Sequence, residues 1–165
     1  MVSLVTSPVI VVAARDQPLP PLPSETVVVF DEREACGPLA GLTVGLKSLV
    51  GKAETAFLTS CDSPLLVPAF VSRMAGLLAD DDLVLPQVGK NLYPLAAVYR
   101  VSLWLLADRL LEAGQRRLLD LAAMCRSRPI DPAEFQDIDP RFDSLRNINT
   151  PADYAELLAE HRPLG

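Results

Sequence analysis

The sequence predicts an α/β layered domain with a mostly parallel sheet. Short β-branched runs alternate with helical stretches along its 165 residues. Two of those runs end in a carboxylate, Asp31 and Asp62, and a turn-forming Ser63-Pro64 closes the second. At this length the chain reads as one domain, residues 1–165, large enough to bury a substantial core.

Pro8-Val9-Ile10-Val11-Val12-Ala13-Ala14 is a continuous apolar run, the pattern of a strand buried on both faces. Pro18-Leu19-Pro20-Pro21-Leu22-Pro23 excludes helix and central strand. It reads as an extended connector rather than a ligand for a partner domain. Thr26–Phe30 is a second buried strand. A helix begins near Pro38, with Gly41 and Gly45 on one face for close packing on a sheet. Gly37-Pro38 lies at its start, where exposed N–H groups suit an anion or polar ligand.

Strand Thr55–Thr59 leads through Asp62 to a helix with Pro68 in its first turn. Leu83–Leu85 and Leu95–Tyr99 are short strands. Ser102–Ala113 has helical periodicity and stops at Gly114, and a further amphipathic stretch runs from Arg116 to about Cys125. Thr150-Pro151-Ala152-Asp153 starts the last helix: Thr caps, Pro takes the first position and Asp the third.

Composition narrows the function. No apolar run approaches the ~18 residues of a membrane span, and Met1–Val5 lacks a basic flank, so no secretory signal is expected. Cys36, Cys61 and Cys125 are far apart without CxxC spacing and read as reduced thiols of a cytoplasmic protein. A net charge of −6 and a pI near 4.7 argue against nucleic acid as a partner. Asp80-Asp81-Asp82 reads as a solvated turn rather than a metal cluster, and the only histidine, His161, makes His-based catalysis an improbable design. For Asp62 the residues alone leave two readings: a carboxylate capping its own turn, or one holding a ligand at the carboxyl end of a strand.

Five segments belong together. They are Asp31 with Gly37-Pro38-Leu39-Ala40-Gly41-Leu42; Thr59-Ser60-Cys61-Asp62-Ser63-Pro64; Tyr93-Pro94-Leu95-Ala96-Ala97; Leu111-Glu112-Ala113-Gly114-Gln115-Arg116-Arg117; and Asn147-Ile148-Asn149-Thr150-Pro151. In this order and spacing they resemble the molybdenum cofactor guanylyltransferases, over essentially the whole chain. The resemblance implies a three-layer, Rossmann-like nucleotidyltransferase fold. It also implies transfer of GMP from GTP to molybdopterin, with release of pyrophosphate and with Mg2+ as cofactor. Asp62 matches the family's magnesium-binding aspartate, and Asp31 one that contacts the guanine nucleotide; as residues alone, Asp31 could equally open an acidic turn. Gly37 falls on the nucleotide side. Arg116 and Arg117 match a basic pair on the molybdopterin side, where a guanidinium fork suits phosphate. Asn147 and Asn149 match the NxNTP segment lining the pterin. A solvated helix start for the arginines, and a loop residue before the Thr150 cap for Asn149, remain open. Implied partners are the small-molecule substrates and a recipient molybdoenzyme or its chaperone.

The front of the chain departs from that family. No Gly-rich loop with its basic residues precedes Val9, and the lysines are Lys47, Lys52 and Lys90 only. The family's first strand is therefore expected to be missing, with the chain starting at about Val2–Thr6, near the end of the family's first helix. By resemblance that strand is interior, between Pro8–Ala14 and Thr55–Thr59, and its loss leaves a gap of about 9.5 Å with unpaired edges. Losing a preorganised phosphate loop is expected to cost several kcal/mol of transition-state stabilisation, so the chain as written is expected to be catalytically impaired. A start set at an internal methionine is favoured over a decaying gene. The competing functions are a molybdopterin cytidylyltransferase and a non-catalytic fragment of the fold.

Overall fold

The computed structural model describes residues 5–31 and 37–160; Glu32-Arg33-Glu34, Cys36 and His161 lie outside them. Strands β1 (Val9–Ala14) and β2 (Thr26–Asp31) pair in parallel, Val9 opposite Thr26 and Ala14 opposite Asp31. Helix α1 (Gly37–Ser48) follows and leads to β3 (Thr55–Thr59). Helix α2 (Pro68–Gly76) comes next, then β4 (Leu83–Val88), the short β5 (Asn91–Leu92) and β6 (Ala96–Arg100). A 3₁₀ turn at Val101–Leu103 opens α3 (Trp104–Glu112). The chain closes with α4 (Leu118–Ala123), β7 (Ser127–Ile130) and α5 (Pro151–Glu160).

The second sheet is mixed. Its order is β3-β6-β4-β5, with β7 on the other side of β4. The β4–β7 pair is parallel, whereas β6 runs antiparallel to both β3 and β4. The parallel character predicted from the sequence is thus present in part. Residues 89–95 between β4 and β6 are far too few for the crossover of about a dozen residues that a parallel pair needs. Among the described residues no strand joins β1–β2 to this sheet.

Side chains of the second sheet alternate between two cores, which makes the architecture three-layered. Leu83, Leu85, Ala97 and Tyr99 face a cluster with Leu39, Leu42 and Leu46 of α1, Ala107 of α3 and Leu118 and Leu121 of α4. Val84, Ala96 and Val98 face the other side, with Phe70, Val71 and Met74 of α2, Ile130 and Phe135. Helix α1 also lies on β1 and β2. A Cβ at Gly41 or Gly45 would meet Val12 at 3.9 and 3.4 Å, ordinary contact distances, so the expected close approach does not require glycine at either position.

The strand expectations need correction. The run Val9–Val12 is half-buried rather than enclosed on both faces, because among the described residues β1 pairs only with β2. Strand β2 is not buried either, with Val27 and Phe30 exposed, and β3 is half-buried, with β6 as its one neighbour among the described residues. Strand β7 had no signal in the sequence. Its Pro129 breaks the β pattern, yet a proline is tolerated where the strand has one neighbour. The Asp80–Asp82 turn is held by ion pairs: Arg128 Nε lies 3.2 Å from Asp81 and Arg126 3.5 Å from Asp82.

Candidate active site

The Asp62 turn is built where β3 ends, and its parts are fixed from two directions. Asp62 is only partly exposed, and its Oδ1 is buried with no hydrogen-bond partner. Burying a carboxylate oxygen without a donor is costly, so the atom suits a cation. Mg2+ is commonly held by one or two carboxylates together with substrate phosphates. Among the described residues no group of three or more His, Cys, Asp or Glu forms a protein-only metal cage. The single orphaned oxygen therefore fits a metal shared with a substrate.

From the other side the loop after β7 closes on this turn. The Ile148 N–H donates to the Asp62 carbonyl at 2.8 Å, and the Ser63 hydroxyl donates to Asn147 Oδ1 at 2.9 Å. Ser60 Oγ lies 3.0 Å from Ser63 Oγ. The loop itself hangs on Asp139, which is 1 % exposed and accepts from the N–H groups of Asp143 (2.8 Å) and Ser144 (2.9 Å). Ser144 Oγ in turn accepts from Val67 N–H at the start of α2. Phe142, held in the left-handed region at φ 55°, depends on this bracing. Asp139 had no motif to mark it; only its buried bonds reveal it. Tyr99 is also enlisted, its hydroxyl donating to the Pro94 carbonyl at 2.7 Å and pinning the Tyr93–Ala97 segment.

Asn149 and Asn147 are exposed. The N–H groups of Asn149 and Thr150 both donate to Asp153, and Asp153 N–H donates to Thr150 Oγ1. This is the capping box predicted at the start of α5. The Asn149 amide N–H, then the Thr150 contacts, hold the Asp153 carboxyl below its usual range. Its contribution to stability is complete above the unfolded value near 4 and is lost as pH falls through the lower folded value.

Gly37 meets Arg116 at the start of α1. The Leu39 N–H donates to the Arg116 carbonyl at 3.4 Å. Gly37 has φ +72°, and a Cβ there would sit 3.1 Å from the same carbonyl oxygen. Both the conformation and the contact call for glycine. Gly37→Ala is expected to destabilise the chain by about 1–2 kcal/mol, with Arg116 displaced; urea unfolding measures it. Arg116 and Arg117 are exposed, and the Arg117 N–H donates to Asp120 at 3.3 Å to start α4.

Contacts at both ends of α1 and α3 fix how these two helices run. Lys47 near the end of α1 lies 5.4 Å over the Trp104 ring at the start of α3. Trp104 follows the 3₁₀ turn whose Val101 N–H bonds Glu54, just before β3. Helices α1 and α3 are thus antiparallel, about 18 and 14 Å long. Their other ends meet where the start of α1 touches Arg116. Asp31 ends β2. It lines a cavity of about 360 Å³ with Phe30, Thr43, Lys47 and Asp108.

The two described cysteines differ in exposure. Cys61 is exposed in the Asp62 turn, whereas burial, then the nearby Asp82 carboxylate, pushes the Cys125 thiol up to about 11. Thiolate is the reactive form. At pH 7.5 iodoacetamide is expected to label Cys61 well before Cys125, read by peptide mass spectrometry; equal rates would contradict the burial of Cys125.

A three-layer α/β fold with a carboxylate turn at a strand end, met by the Asn147–Ile148 loop, places the chain among the α/β folds that take ligands at strand ends. The family model of the MobA-like NTP transferase domain matches residues 1–128, and the chain belongs to that family. A Mycobacterium marinum protein named "Probable molybdenum cofactor guanylyltransferase" is 35% identical over 149 residues, covering 88% of this chain and 69% of its own. A Chloroflexus aggregans protein of the same name is 34% identical over 152 residues, covering 89% and 70%. The crystal structure of molybdopterin-guanine dinucleotide biosynthesis protein A from Archaeoglobus fulgidus shares the fold, with a TM-score of 0.71 at 22% identity, over 82% of this chain and 70% of that one. No helix among the described residues is long and apolar enough to cross a membrane.

Proposed function

We propose that this chain acts in molybdenum cofactor synthesis, transferring GMP from GTP to molybdopterin with Mg2+ to give the guanine dinucleotide cofactor and pyrophosphate. The observation that carries the reading is the buried, unpartnered Oδ1 of Asp62 in a chain of this family. Joining a phosphate to the α-phosphorus of a nucleoside triphosphate brings anions together. A bound Mg2+ supplies charge neutralisation for them and for the departing pyrophosphate. Asp62 would hold it. Asp31 and the Gly37 helix start serve the nucleotide side; Arg116, Arg117, Asn147 and Asn149 serve the molybdopterin. The relatives' name supports guanine as the base. The setting is cytoplasmic, with small-molecule substrates and a molybdoenzyme or its chaperone receiving the product.

The test incubates the chain with molybdopterin, Mg2+ and either GTP or CTP, and follows pyrophosphate and the dinucleotide. Product from GTP alone is expected. Product from CTP alone assigns the cytidylyl reaction instead, and no Mg2+-dependent binding or turnover with either nucleotide overturns the proposal in favour of a non-catalytic fragment.

A further inference from the structure

We infer that Ser63 is a positioning residue that fixes the orientation of the Asn147 amide, so that Asn147 presents its Nδ2 hydrogen-bond donors to the ligand. The inference rests on the molybdopterin-side reading proposed for Asn147. It begins with counting protons. A serine hydroxyl carries one proton, and an asparagine amide offers an acceptor oxygen with two lone pairs on one side and two N–H donors on the other. Ser63 spends its proton on Asn147 Oδ1, at 2.9 Å. The contact between Ser60 Oγ and Ser63 Oγ, at 3.0 Å, must then have Ser60 as donor. The chain of bonds runs one way, from Ser60 through Ser63 to Asn147. It ends on Nδ2, which donates to none of the described residues and is left for a ligand.

The partner of Nδ2 is therefore an acceptor: a pterin carbonyl or ring nitrogen, or a phosphate oxygen, and not an exocyclic amine. Ser63 adjoins Asp62 in sequence, and Ile148 next to Asn147 is bonded to the Asp62 carbonyl. One turn thus carries the carboxylate on its nucleotide side and orients the amide on its pterin side. Asn147 is exposed, so without Ser63 its amide would be free to turn over.

The test is calorimetric titration of wild type, Ser63→Ala, Ser63→Thr, Asn147→Ala and Asn147→Asp with molybdopterin, each also titrated with GTP·Mg2+ and melted. Ser63→Ala is expected to weaken molybdopterin about tenfold, one hydrogen bond's contribution. Ser63→Thr restores it, and GTP·Mg2+ affinity and melting temperature stay unchanged. Asn147→Asp is expected to bind more weakly than Asn147→Ala, because a carboxylate repels an acceptor. Titrations with a phosphate-free pterin and with inorganic phosphate separate the two sources of acceptor, whichever loses affinity in Ser63→Ala being the partner.

Unchanged molybdopterin binding in Ser63→Ala alongside weakened binding in Asn147→Ala overturns the inference alone. So does Asn147→Asp binding as well as wild type, or Ser63→Ala lowering stability and both affinities together. No effect in either Asn147 variant, or no molybdopterin binding by wild type, overturns the molybdopterin-side reading as well.

Discussion

Asp62→Asn is expected to lower Mg2+-dependent GTP affinity by about a hundredfold or more while leaving the melting temperature at or above that of the parent. Removal of even an outer partner of a metal site typically costs 10–100-fold, and this substitution removes the proposed ligand charge itself. The stability half of the prediction comes from Oδ1, which is buried and bonded to nothing. A neutral amide of the same shape is cheaper to desolvate than a carboxylate. Stability gained where function is lost is the signature of a group kept for its ligand. Titration with GTP in the presence and absence of Mg2+, beside a thermal melt, measures both halves. A fall in melting temperature with GTP·Mg2+ binding retained would assign Asp62 to its turn instead, the other reading the residues left open.

Phe70→Ala is expected to destabilise the chain by about 3–5 kcal/mol, the usual range for deleting a buried aromatic ring. Phe70 is fully buried and stands edge-on to Phe57 (centroids 6.2 Å) and Phe135 (5.3 Å), and Phe135 stands edge-on to Phe142 (5.7 Å). Such pairs add about 0.5–1.5 kcal/mol each beyond the area they bury. The ring stack joins β3 to α2 and to the loop that Asp139 braces, so the cavity lies under the segment leading to Asn147. Urea denaturation gives the magnitude, and hydrogen exchange is expected to show residues 139–148 losing protection first. A loss below about 1 kcal/mol would mean that the site collapses and the stack carries little.

The two effects come from different levels of information. Asp62 was legible as a candidate because strand, carboxylate and Ser-Pro turn are neighbours in the chain. The Thr150–Asp153 cap, the first-turn Pro68 and the helix stop at Gly114 were legible on the same ground, as each is a bond or a dihedral within a few residues. Phe70 was only one of many apolar residues until α2 was laid on the sheet. Asp139 looked like any surface acid until its carboxylate was found buried on two N–H groups.

By itself the sequence determined the local elements, the alternation that makes a three-layer α/β domain, and which residue types were available for phosphate, metal and pterin chemistry. Only the tertiary structure decided that β6 runs antiparallel to β3 and β4, that a proline-bearing strand flanks β4, and that β1 and β3 are half-exposed. It alone decided that Ser63 bonds Asn147 across 84 positions of sequence. The reason is physical. Periodicity, caps and turns are set by interactions within one or two turns of chain, and residue order encodes them directly. Strand pairing and polar networks depend on which distant segments the core brings into contact, and the direction of each bond depends on where every proton in the network is already committed.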